Sequence, residues 1–345
     1  MIKVQNLVSK SSSALIAALS LLGGASVIAA EDNPFIGNWA LTIPDGGAGW
    51  LGVTQQKGYY DASILWGSGS VLPVASVFFD DNKDTLWMTR LKDVNRKDAA
   101  GKIVRTQQFT EAITAKLSGD EMTLTRLSPR DNGEGIIREE FTGKRIPPLS
   151  PAPDLSRVKF GPPITLFNGQ NLDGWKLTSP KQISGWSAQD GLLINRPVQQ
   201  EGKPHLSYGN LRTEREFEDF NITLETRLSE GGNSGVYLRG IYEVQVTDTY
   251  GKKPDPHNMG AIYSRVTPSV NAEKPVGEWQ TLDITLVDRH ATVILNGTKI
   301  IDNAPLLGCT GGALWSDQLR PGPIYLQGDH TGIDYRNIVL RPVVK

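Results

Sequence analysis

Cysteine is almost missing from this sequence: Cys309 is the only one in 345 residues, so no intramolecular disulfide can staple the chain, and a small buried side chain is its expected role. Histidine is scarce as well, at four, and no H-E-x-x-H or comparable metal-ligand spacing occurs. An excess of charge is lacking too. Lys plus Arg total 36 against 37 Asp plus Glu, which gives no basic surface for nucleic acid or for an anionic membrane. Long amphipathic helical patterns are absent. What the chain has instead is 36 glycines and 21 prolines, which punctuate many short alternating runs of Val, Ile, Thr, Tyr and Trp. That pattern predicts an all-β protein.

At the N-terminus, Lys3 and Lys10 precede an apolar run over residues 14–22, and small residues lead to Ala30 just before Glu31 and Asp32. This is the order of a signal peptide, residues 1–30, which predicts a periplasmic or secreted bacterial protein. Ser20, Gly23 and Gly24 keep the apolar run well short of the ~20 residues that span a bilayer, so no integral membrane segment is expected in the mature form. No cysteine follows the run for lipid attachment. Residues 31–147 carry short segments such as "VLPVASVFF" and "EMTLTRLS" separated by turn residues, as a small antiparallel barrel or sandwich would, with Trp39, Trp66 and Trp87 read as packing residues. Residues 148–163 are proline-dense and read as a semi-rigid linker. Residues 164–345 supply enough strands for a β-sandwich, with hairpin turns at residues 288–290 and at Asn296-Gly297.

The polar residues of this second region stand out against its apolar strands. In "NSGVYLRGIYEVQVTD", period-two alternation places Asn233, Gly235, Tyr237 and Arg239 on one face, and Glu243, Gln245 and Thr247 on one face of the next strand. If the two strands pair, Arg239 lies near Glu243. Asp248 falls on the opposite parity, but a bulge at the strand end would turn it toward Glu243 and give two carboxylates in one cleft, an arrangement suited to acid and base chemistry. A second cluster, "YLQGDHTGIDYRNI", holds Gln327, Asp329 and His330, where His330 suits an acid, a base or a metal ligand. A divalent metal ion on Asp248, Asp255, His257 and His330 stays open, without a motif behind it. Among the aromatics, Trp175, Trp186, Tyr237, Tyr263, Trp279 and Trp315 offer faces for sugar rings, with Trp315 the leading platform candidate. A solvated strand face with a surface salt bridge is the plain alternative for Arg239 and Glu243.

The segments "LFNGQNLDGW", "FEDFNITLETRLSEGGNSGVYLRGIYEVQVTD", "GAIY", "KPVGEWQ", "LNGTKIID" and "PIYLQGDHTGIDYRNI" occur in this order over residues 164–343. Together they resemble the 3-keto-disaccharide hydrolase family, once a domain of unknown function. The resemblance implies a concanavalin A-like jelly roll and cleavage of glycosides oxidised at carbon 3. It also implies a carbohydrate partner and a sugar oxidoreductase in the same pathway. On that basis Glu243 or His330 is expected as the base, Arg239 as the enolate or substrate binder and Asp248 as the acid or partner. Asn233, Tyr237, Gln245, Tyr263, Lys274, Gln327 and Trp315 are the expected substrate contacts. Two readings stand beside it: a carbohydrate-binding protein without turnover, and a conventional glycosidase using Glu243 and Asp248.

Overall fold

The computed structural model describes residues 33–200 and 206–344; the expected signal peptide, residues 1–30, lies outside the described residues. The protein is all-β, with one short 3-10 turn at Leu155–Arg157 as the departure from strands and loops among the described residues. None of the helices described is long and apolar enough to cross a membrane.

Among the described residues, nine strands between Gly37 and Ile146 form one antiparallel sheet that closes on itself. Leu72–Pro73 pairs with Tyr59–Trp66 at one edge, and Ser76–Phe79 pairs with Thr85–Lys97 at the other. Val74 and Ala75 join these two short strands and donate to the carbonyls of Ala62 (3.0 Å) and Thr89 (2.7 Å), so the segment bridges both edges. Closure removes the exposed edges that an open sheet would carry. Alternate residues point inward, and Trp39, Leu41, Leu51, Met88 and Phe141 fill the interior. These side chains give the barrel a hydrophobic core of its own. Trp87 departs from the expectation of a core residue: Leu86 and Met88 take the inward positions, leaving Trp87 37% exposed and stacked on Phe78.

The second half is a jelly-roll sandwich of an eight-stranded and a five-stranded antiparallel sheet. Strand Phe220–Leu228 shows the expected alternation, its odd members half-exposed while Phe220, Ile222 and Leu224 meet Val236, Leu238, Tyr242, Val244 and Val246 of the opposing sheet in one core. Two tight turns fall where the sequence places them. Asp288 and Arg289 have φ of 46° and 58°, and Asn296 and Gly297 have 50° and 81°, the left-handed pairs that match hairpin twist.

From Pro34 onward the chain is one compact unit. Trp50, Leu65 and Ile146 of the barrel join the sandwich core cluster, and the Trp50 indole donates to the Leu307 carbonyl at 2.9 Å. Residue 308 must be glycine for this contact, because a Cβ there would lie 2.2 Å from the Trp50 ring. The connecting prolines lie along the sandwich, where Arg289 donates to the Pro147 and Pro148 carbonyls (2.8 Å each) and Asn303 to that of Pro153 (2.8 Å). Cys309 is buried at this seam, and burial pushes its thiol up to about 11.

Candidate active site

The five-stranded sheet turns one face to the core and builds a cleft with the other. Strands Asn233–Leu238 and Tyr242–Thr247 pair with Tyr237 opposite Glu243 and Gly235 opposite Gln245, so Asn233, Tyr237, Glu243 and Gln245 share the outer face. On the other side Tyr237 pairs with Tyr325, and their rings stack with centroids 4.1 Å apart. The Gln327 amide continues this pairing by donating to the Gly235 carbonyl at 3.0 Å, which sets Gln327 two residues along the same face. Asn210 donates to the Tyr325 hydroxyl (2.8 Å) and accepts from the Gly328 amide (2.7 Å). Asp329 and His330 stand at the rim, with Asp329 Oδ1 2.8 Å from His330 Nδ1. Tyr263 and Gly312 face them, and Ser68 and Gly69 of the barrel complete a cleft of about 300 Å³.

Glu243 lies on the floor, 4% exposed. Its Oε2 is 2.9 Å from the Tyr237 hydroxyl. With its amide nitrogen turned toward the two acceptors beside it, Gln245 donates to the Ser234 carbonyl (3.0 Å) and to Glu243 Oε1 (3.2 Å). Gly235 is what lets the carboxyl lie flat on the sheet, since a Cβ there would fall 2.3 Å from Oε1. Burial raises the Glu243 carboxyl to about 8, against the opposing pulls of the Tyr237 hydrogen bond and His330. The hydrogen bonding agrees with a retained proton. Tyr237 Oη is also 2.8 Å from the Gly311 carbonyl, and its single hydrogen cannot serve both acceptors well. If Glu243 is protonated, its O–H donates to the tyrosine oxygen and Tyr237 donates to Gly311, leaving every group paired.

His330 is raised above its ordinary value mainly by the hydrogen bond to Asp329, with burial opposing. Burial also lifts the Tyr237 and Tyr325 hydroxyls far above theirs, so both are neutral donors at physiological pH. The cleft thus holds two proton-transferring groups and a ring of neutral hydrogen-bonding side chains. A cavity of about 440 Å³ between the barrel and residues 316–319 is larger, but its lining has no counterpart to the buried carboxyl beside a His–Asp pair. Chemistry, not size, singles out the cleft.

Residues 162–341 match the model of the 3-keto-alpha-glucoside-1,2-lyase-like domain, slightly more than half of the chain. The chain belongs to that family. A 3-keto-disaccharide hydrolase of Bacteroides thetaiotaomicron is 26% identical over a stretch covering 35% of this chain and 51% of that protein, so the chain spans about half the length of the curated relative it matches. Two solved Parabacteroides distasonis proteins, each described as a candidate glycosyl hydrolase, are also similar. One is 29% identical, covers 58% of this chain and 93% of its own, and has a TM-score of 0.43. The other is 20% identical, covers 53% and 94%, and has a TM-score of 0.41.

The 3-keto-alpha-glucoside-1,2-lyase-like domain brings together seven of the residues expected from sequence: Asn233, Tyr237, Glu243, Gln245, Tyr263, Gln327 and His330 all line the cleft. Four others lie elsewhere. Arg239 leaves the face because the strand ends at Leu238 and Arg239 and Gly240 turn left-handed, with φ of 54° and 68°. Its guanidinium donates instead to the carbonyls of Gln318 (2.7 Å) and Arg320 (2.6 and 3.1 Å). Asp248 is five residues beyond Glu243 on an extended strand, a run of roughly 16 Å, and the pairing shows no bulge to fold it back. It accepts from the Gly231 amide at 3.0 Å. Lys274 reaches the Trp279 carbonyl at 3.2 Å, on the loop it belongs to. Trp315 packs against the core with Arg320 over its ring at 3.9 Å, so it offers no platform to the cleft.

Other aromatics are likewise committed: Trp175 and Trp186 are buried, and Trp279 carries Arg227 and Arg336 on its ring at 4.7 and 3.9 Å. The imagined metal cluster does not assemble. Asp255 and His257 pair with each other (2.7 Å), His330 pairs with Asp329, and among the described residues no three His, Cys, Asp or Glu side chains are placed to hold an ion. Tyr325, Asn210, Ser68 and the glycines at 69, 311 and 312 are the cleft residues that sequence reasoning missed. Tyr325 was within reach, since Y-x-Q spacing puts it on the face of Gln327; nothing in the sequence points to Ser68.

Proposed function

We propose that this cleft cleaves glycosides whose sugar carries a ketone at carbon 3, by elimination followed by hydration. The observation that carries the reading is Glu243: a buried carboxyl on the cleft floor, shifted to about 8, opposite the His330–Asp329 pair. A ketone at C3 acidifies the hydrogen on C2. Glu243, ionised, takes that hydrogen, and a desolvated carboxylate of this basicity is a far better base than an exposed one. The C2–H electron pair is taken up by the ketone as an enolate and then forms the C1=C2 double bond as the C1–O bond breaks, and His330, whose protonated form the Asp329 hydrogen bond favours, gives a proton to the departing oxygen. Negative charge building on the C3 oxygen meets the Tyr325 hydroxyl, whose own oxygen is already occupied by Asn210. Water then adds at C1 and gives its proton back to His330, C2 regains a proton from Glu243, and the net result is hydrolysis.

Asn233, Gln245 and Gln327 suit sugar hydroxyls; Gln327 Oε1 is buried without a partner among the described residues, and a hydroxyl would donate to it. The ketone must be made by an oxidoreductase acting earlier, and export would put both enzymes in one compartment. The test is to incubate the protein with a disaccharide and with its 3-keto counterpart, with and without a chelator, and to follow sugar release by mass spectrometry. Release from the keto sugar alone is expected, with Glu243→Gln lowering it by about 10²-fold or more and His330→Ala also reducing it. Cleavage of the unoxidised disaccharide would sink the proposal, and saturable binding without release would make the protein a lectin.

A further inference from the structure

The barrel does more than pack against the sandwich. Its residues 67–71 are fixed at the cleft mouth by three hydrogen bonds: Gly312 N to the Gly67 carbonyl (3.2 Å), Ser70 Oγ to His257 Nε2 (2.9 Å) and Val71 N to Ser264 Oγ (2.9 Å). Backbone meets backbone here. A Cβ on Gly311 would lie 2.2 Å from the Gly69 carbonyl oxygen, so the approach needs glycine at 311. Ser68 and Gly69 line the Glu243 cleft on one side and, on the other, a second cavity of about 510 Å³. That second cavity is walled by Trp66, Leu72, Pro73, Val74, Arg90 and Leu91. Leu72 and Leu91 are 58% and 46% exposed, large apolar side chains left uncovered at the edge of a polar site. Trp66 is locked in place, with Arg90 and Arg126 stacked on its ring at 4.5 and 5.1 Å and Arg90 paired with Glu111 at 2.9 Å.

We propose that the barrel cavity is the leaving-group subsite: the oxidised sugar occupies the Glu243 cleft, and its aglycone crosses Ser68 and Gly69 into the cavity lined by Leu72 and Leu91. This rests on the keto-glycoside reading above and names the substrate class more closely. The preferred substrates carry a bulky, largely apolar aglycone. A purely polar second sugar would leave Leu72 and Leu91 against hydroxyl groups, whereas a hydrocarbon ring would cover them and gain roughly 25 cal/mol per Å² of apolar surface removed from water.

The test compares the methyl and cyclohexyl 3-keto-glucosides, whose alcohols are of similar acidity, so the ratio of their kcat/KM values reports aglycone binding and not leaving-group chemistry. The full-length protein is expected to favour the cyclohexyl glycoside by tenfold or more. In Leu72→Asp, Leu91→Asp and the double variant, that ratio should fall by tenfold or more, with circular dichroism checking that each variant folds. Both positions are solvent-facing, so folding is expected to survive. Turnover of both glycosides with a ratio that the variants leave unchanged, or an equal fall for both, overturns the subsite and leaves the reaction standing. Turnover of neither by the parent protein overturns the reaction, and the subsite falls with it.

Discussion

Glu243 holds its proton because burial leaves the carboxylate almost no water, a penalty that outweighs the opposing Tyr237 hydrogen bond, and that has a measurable effect on stability. The unfolded chain loses this proton near the ordinary value of 4.5, whereas the folded chain keeps it to about 8. Between those values the folded state binds more protons, so stability falls as pH rises, by at most about 1.4 kcal/mol per unit. Below pH 4.5 both states are protonated and the contribution is complete. Glu243→Gln cannot ionise and keeps the shape and a donor for the Tyr237 oxygen. Relative to the parent it should therefore gain on the order of a few kcal/mol between pH 4.5 and 8, seen as a Tm difference that widens in thermal denaturation at pH 5 and pH 8. A difference that stays constant would mean that Glu243 titrates as an ordinary carboxyl. At this scale the sequence was informative where period-two parity held: Asn233, Tyr237, Glu243 and Gln245 follow from it. It was silent on Gly235, whose importance is a missing Cβ beside Oε1.

Elements end, and parity ends with them, which explains where Arg239 goes. The alternation that carries Asn233 to Tyr237 was extended two residues further to Arg239, but the left-handed pair at Arg239 and Gly240 reverses the chain and sends the guanidinium to the carbonyls of residues 318 and 320. Asp248 fails for the opposite reason: its strand runs straight where a bulge was needed. Arg239 thus anchors a loop. Arg239→Ala should cost about 1–3 kcal/mol in denaturant-induced unfolding, because two carbonyls lose a charged donor, while kcat/KM well below the transition stays within about twofold. Collapse of kcat/KM with unchanged stability would return Arg239 to the substrate. Hairpin turns were easier to place than hairpin side chains, since Asn296-Gly297 announces its backbone in two letters whereas a side chain's direction depends on where pairing stops.

For the whole molecule, strand content and the proline-dense segment divide the sequence into two regions, but the contacts join them. Trp50 belongs to a barrel strand, yet its ring lies among sandwich residues, under the Arg265 guanidinium at 4.4 Å and against Gly308. Local patterning cannot reveal such a partner, because the apolar position reads the same whether it fills its own barrel or the neighbouring sandwich. The same seam carries residues 67–70 to the cleft mouth, so the loop's position depends on barrel and sandwich staying docked. Trp50→Ala should therefore cost about 3–5 kcal/mol, the range for emptying a buried aromatic site, and it should act on both halves together. Calorimetry of the parent is expected to give a single transition with calorimetric and van't Hoff enthalpies in agreement, shifted to lower temperature in the variant but still single. Two transitions in the parent, only one of them moved by Trp50→Ala, would mean that the sandwich folds without the barrel. The docking energy would then be too small to hold Ser68 and Gly69 at the cleft through each turnover.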